Sequence, residues 1–172
     1  VVGNDILSSF VMPGLTHVWT SIDVSSNPTL HTAAFPALGL VGEGTGPSPT
    51  AGLLKFHGNP LLALLDFSAL TQLNGPLDLM DNEALPHLDA FSALTSSVYA
   101  VLVNDNDMLT DVSGLAAIGD LLGVLPPFVA DQFAITNNDA LCVDNVSTLI
   151  GAILSKDPGA FARSPLYAGN TG

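Results

Sequence analysis

The chain has 172 residues, 48% of them hydrophobic, with 3 Lys and Arg against 16 Asp and Glu and a formal net charge of −13. A chain of this length fits one domain and buries roughly 70% of its unfolded surface. The charge excludes nucleic acid and anionic membrane as partners, because almost nothing can neutralise phosphate.

The single cysteine, Cys142, excludes an internal disulfide and a zinc site built on thiolates. No 18-residue apolar run is present, so no membrane insertion is expected, and no basic segment leads into an apolar stretch as in a signal peptide. All acidic residues except Glu43 and Glu83 are Asp. Asp bonds nearby backbone in turns, whereas Glu suits helices, so the bias favours a turn-rich protein.

In chain order, the first predicted element is the end of a strand, Val1 standing three residues before Asn4. The same arrangement recurs. Ile22 and Val24 precede Asn27, Leu54 and Phe56 precede Asn59, and Leu77 and Leu79 precede Asn82. Val101 and Val103 then precede Asn106, and Phe133 and Ile135 precede Asn138. Each of these Asn residues has Leu three positions later, and the steps between them are 23, 32, 23, 24 and 32 residues. Asn74 also has Leu at that distance, but Ala69 and Thr71 upstream break its strand pattern. Apolar residues at alternate positions share one face of a strand. The sequence thus predicts short parallel strands stacked by repeat, with two inward apolar columns and an Asn at each strand end. The Asn amide has two donors and an acceptor oxygen, enough to satisfy backbone groups that leave the ladder and to bond its neighbours in a stack.

Between these strands recur Phe35-Pro-Ala-Leu38, Phe67-Ser-Ala-Leu70 and Phe91-Ser-Ala-Leu94. Their spacing near three, interrupted by Pro36, Pro60, Pro76 and Pro86, predicts short turns or single-turn helices. The two long steps hold insertions in the same slot, around Gly42–Gly52 and at Asp120–Ala130. Near the C-terminus, residues 144–154 place Val146, Leu149, Ile150 and Ile153 at helical spacing, predicting a helix that caps the stack. The expected architecture is a β-solenoid, a right-handed, leucine-rich-repeat-like parallel β-helix of about six coils with a C-terminal capping helix. It spans residues 1–155 and is followed by a Pro/Gly-rich tail or linker over 156–172.

The unit N-x-x-L…F-x-x-L…L-x-L-x-x-N resembles the receptor L-domain family of leucine-rich β-helices, and Asn138-Asp-Ala-Leu-Cys142 looks most like bacterial surface-protein members. The resemblance covers roughly residues 1–154. It implies a scaffold fold in an extracellular or cell-surface setting and carries over no binding residue. The absence of disulfides departs from the receptor domains.

No catalytic motif is found. His17, His31, His57 and His87 fall at different phases of the repeat without metal spacing. Gly42-Glu-Gly-Thr-Gly46 lacks the Lys of a phosphate loop. Asn104-Asp-Asn-Asp107 with Asp111 offers clustered oxygens of the kind calcium takes, but lacks the Gly and Glu of an EF-hand loop. Asn145-Val-Ser147 matches a glycosylation sequon.

The functional expectation is a non-catalytic recognition or structural module, binding protein or glycan at the cell surface and needing no cofactor or metal. The alternatives are a filament or surface-layer component that self-associates end to end, and a polysaccharide hydrolase with Asp23 and Asp78 as its acid pair. Leu121, Leu122, Leu125 and Phe128 of the second insertion are the candidate partner-binding residues, because exposed apolar residues on a loop mark contact sites.

Overall fold

A computed structural model describes residues 1–42, 52–96, 98–119, 133–156, 158 and 165–172. Three parallel sheets and a single C-terminal helix make up the regular structure of these residues, in a parallel-strand, solenoid-like arrangement.

The five strands expected before the Asn markers form one sheet: β3 (Ile22–Ser25), β6 (Leu54–His57), β9 (Leu77–Met80), β10 (Val101–Asn104) and β11 (Phe133–Thr136). Their register pairs Ile22 with Leu54, Leu54 with Leu77, Leu77 with Val101 and Val101 with Phe133. Side chains alternate across a strand, so this register stacks one buried column from Ile22 to Phe133 and a second from Val24 to Ile135.

Two further sheets were not expected. β1 (Ser9–Val11), β4 (Thr32–Ala34) and β7 (Leu64–Asp66) form one, and β2 (His17–Val18), β5 (Leu40–Val41) and β8 (Gln72–Leu73) form the other. From β1 to β9 the chain visits the three sheets in cyclic order. In the next two repeats, the place of β7 is taken by the 3-10 helices Asp89–Phe91 and Ser113–Leu115, the single turns that the prolines and Leu spacing predict.

The core runs the length of the stack. Phe35, Phe67 and Phe91 lie face to face, with centroids 5.0 and 5.5 Å apart, and Phe56 meets Phe67 edge-on at 5.8 Å. Offset stacking suits aromatic quadrupoles and adds about 0.5–1.5 kcal/mol per pair beyond area burial.

Repeats approach so closely at Gly114 that a Cβ there would run into the Leu88 carbonyl. Gly114→Ala is therefore expected to cost about 1–3 kcal/mol through backbone displacement, read as a fall in the urea midpoint at constant m. An unshifted midpoint would mean that the two 3-10 turns are not in contact.

The helix α1 (Val143–Lys156) buries Val146, Leu149 and Ile153, while Ile150 packs partly against the core. Its last residue, Lys156, donates to the carbonyls of Ala116 and Ile118, tying the helix end to the neighbouring repeat.

Within the segment read as a tail, residues 166–168 hydrogen-bond alongside β11: Leu166 N to Phe133 O at 3.0 Å, Ile135 N to Leu166 O at 2.8 Å and Asn137 N to Ala168 O at 3.0 Å. Pairing here needs only backbone groups, which is why Pro/Gly-rich composition did not announce it.

Candidate functional site

Asn27, Asn59, Asn82, Asn106 and Asn138 are fully buried, and Asn4 is exposed at the edge of the stack, its N–H donating to Asn27 Oδ1 at 3.1 Å. Each buried Oδ1 accepts from the Asn of the repeat before it. Asn27, Asn59, Asn82 and Asn106 Nδ2 lie 3.1, 3.1, 3.3 and 3.2 Å from the next Oδ1. Each Nδ2 also reaches back to the preceding strand: Asn59 to Val24 O at 2.9 Å, Asn82 to Phe56 O at 2.9 Å, Asn106 to Leu79 O at 3.2 Å and Asn138 to Val103 O at 3.0 Å. The amide thus closes the strand end and binds successive repeats together, so the backbone groups buried there are paired.

The column has a seventh member that sequence reading missed. Asn170 Oδ1 accepts Asn138 N at 3.1 Å and Asn138 Nδ2 at 3.2 Å, and Asn170 Nδ2 donates to Ile135 O at 2.8 Å. No Leu follows three residues on, so the marker failed. Position 169, directly before it, held a usable signal.

The residue before each ladder Asn has positive φ: Gly3 at 66°, Ser26 at 58°, Gly58 at 61°, Asp81 at 55°, Asp105 at 56°, Asn137 at 56° and Gly169 at 78°. The left-handed region turns the chain out of the strand, and Gly, Asn and Asp tolerate it best. Asp81, and Asp105 of the segment weighed for calcium, are therefore backbone devices. Ser26→Val should cost about 1–2 kcal/mol, the left-handed penalty for a residue with Cβ crowding, whereas Ser26→Gly should be neutral or stabilising. Thermal melts that rank the two variants the other way would remove this explanation of the turn.

The outer face of the five-stranded sheet gathers the chain's polar chemistry. Lys55 Nζ lies 3.8 Å from Asp23 Oδ2, and the Ser25 hydroxyl donates to Asp23 Oδ1. His57 Nε2 lies 2.7 Å from Asp78 Oδ1, and both atoms are shut off from solvent. That approach has ion-pair distance without hydrogen-bond alignment, so the close distance alone does not make it a strong bond. Further along, Thr136 Oγ1 donates to Asn104 Oδ1 at 2.7 Å. The acid pair weighed above, Asp23 and Asp78, is separated by β6, from which Lys55 registers opposite both.

The oxygens of the 104–111 segment are engaged in turns. Asp105 Oδ1 accepts Asn137 Nδ2 at 3.2 Å, and Asp111 caps Ser113 through N at 2.7 Å and Oγ at 3.0 Å. Among the described residues, no three His, Cys, Asp or Glu side chains gather in a way that could hold a metal ion. Asn145 sits on α1 and donates to Thr110 O at 2.9 Å. No helix of the described residues is long and apolar enough to cross a membrane.

Leu121, Leu122, Leu125 and Phe128 lie outside the described residues, as do 43–51 of the first insertion. The necks are described. Gly42 and Gly52, with φ of 92° and 97°, pack against one another so tightly that a Cβ on Gly42 would lie 2.6 Å from Gly52 Cα. Thr71 N bonds Gly39 O at 3.1 Å, Ser96 N bonds Thr71 O at 3.1 Å and Gly119 N bonds Ser96 O at 3.3 Å, so both insertions depart along one column of the stack.

No protein-family model, curated protein or solved structure matches the chain.

Proposed function

We propose that the chain is a right-handed, leucine-rich β-solenoid, akin to the receptor L-domain repeats it resembles. In this reading it works outside the cytoplasm as a non-catalytic module that recognises a protein or glycan. The observation that supports this best is the outer face of the five-stranded sheet. Four of its strands, β3, β6, β9 and β10, present two rows of outward side chains: Asp23, Lys55, Asp78 and Leu102 in one, Ser25, His57, Met80 and Asn104 in the other. The buried amide column behind the face fixes its spacing, and preformed spacing lowers the ordering cost of binding. Its polar groups lean on one another, which suits hydrogen bonding to a ligand's hydroxyls or amides rather than proton transfer.

The test is a screen of the purified chain against a glycan array and a panel of secreted and surface proteins. Saturable binding is expected, and His57→Ala with Lys55→Ala should weaken it at least tenfold, about 1.4 kcal/mol, while the melting temperature changes little. Turnover of any array glycan would overturn the non-catalytic reading. Binding that ignores the double substitution would move the ligand off this face.

A further inference from the structure

The edge of β11 is occupied by the segment 165–172, and this occupancy shows what the edge selects. None of the residues 165–172 is buried, and none belongs to the apolar core. The segment is held by backbone bonds to Phe133, Ile135 and Asn137, by the Asn170 amide on Asn138, and by Thr171 Oγ1 donating to Asp139 O at 3.0 Å. On the β11 side the groups are firmly set, since Asn138 is fully buried. The selection is chemical. Asn170 supplies an acceptor to two Asn138 donors and a donor to Ile135 O, which no shorter or apolar side chain could do. Position 169 has φ of 78°, and a Cβ there would press on Asn137 Oδ1, so Gly is favoured before the Asn.

We propose that this edge is a strand-addition site for an extended segment containing Gly-Asn, and that a second copy of this chain supplies it by exchanging its own 165–172 segment. The exchange keeps every contact seen within one copy. The segment Pro165–Gly172 contains no Asp, Glu, Lys or Arg, so it can enter a second copy without adding side-chain charge to a chain of net charge −13. Sheet edges accept added strands through main-chain bonds, and exchange of an identical element is a low-cost route to dimers. The inference rests on the reading of the chain as a binding module, but it concerns the edge and not the outer face.

Disulfide trapping of full-length chains carrying Cys142→Ser tests it. One population carries Asp139→Cys and the other Thr171→Cys, so a mixed disulfide forms only if the segment of one copy lies on the edge of another. The mixed dimer is expected to rise with concentration toward the mM range, where a second copy competes with a tethered segment. It should exceed the dimer that either population forms alone. Placing the cysteine at Ser68, an exposed site away from β11, instead of at Asp139 should return the yield to that of the single-population dimers. A mixed dimer no more abundant than the single-population dimers, or one equally abundant with the cysteine at Ser68, would overturn the proposal. Neither result would alter ligand binding by the outer face.

Discussion

Phe67→Ala is expected to destabilise the chain by about 3–5 kcal/mol, the cost of a large cavity in a close-packed core. Phe67 is fully buried and touches three other rings, so no single neighbour can collapse into the space. For a chain of this size, each kcal/mol lowers the melting temperature by roughly 2–4 °C. Phe10 provides the comparison. It meets Phe35 edge-on at 5.4 Å but is only partly buried at the first repeat, and Phe10→Ala should cost well under half as much. Equal losses for the two variants, by calorimetry or urea titration, would show that the rings do not form a continuous spine.

The second large effect is expected at Asn82. Replacement by Ala would remove a donor from Phe56 O, Met80 O and Asn106 Oδ1 and an acceptor from Asn59 Nδ2, all at the buried strand ends. Leaving buried polar groups unpaired costs about 1–3 kcal/mol. Asn82→Asp should be no gentler, because it buries a charge opposite carbonyl oxygens. Asn74 is half-buried, and among the described residues its side chain donates to Gly42 O at 3.1 Å, so Asn74→Ala should cost much less. Matching melting shifts for Asn82→Ala and Asn74→Ala would mean that the buried amide column does not stabilise the fold.

The five-stranded sheet was legible because its strands run four residues, long enough for period-two alternation, and because an Asn follows two residues after each. Ile22 to Phe133 and Val24 to Ile135 appear in the structure as the two buried columns that the spacing called for. The other sheets were not legible. β2, β5 and β8 are two residues long, and β1, β4 and β7 are three, too short for alternation to differ from chance. Their neighbours Phe35, Phe67 and Leu70 are spaced as a helix stripe would be, and long-range pairing decided the outcome.

Asn170 was hidden because the search demanded Leu three residues later, which is a core contact and not a requirement of the amide. The left-handed residue before each Asn was a better marker. It reads Gly, Ser, Gly, Asp, Asp, Asn and Gly along the chain, types that turns share, so its meaning emerged only in register. On the outer face, the Lys55–Asp23 and His57–Asp78 approaches follow from parallel pairing of β3, β6 and β9, and no local pattern encodes them.

A column of buried side-chain amides binds the repeats to one another, and amide hydrogen exchange followed by NMR tests this most directly. The Nδ2 protons of Asn59, Asn82, Asn106 and Asn138 should exchange more than a thousandfold slower than those of Asn74, the protection expected where opening costs about 5 kcal/mol or more. Exchange of all five side chains at the same rapid rate would contradict the account.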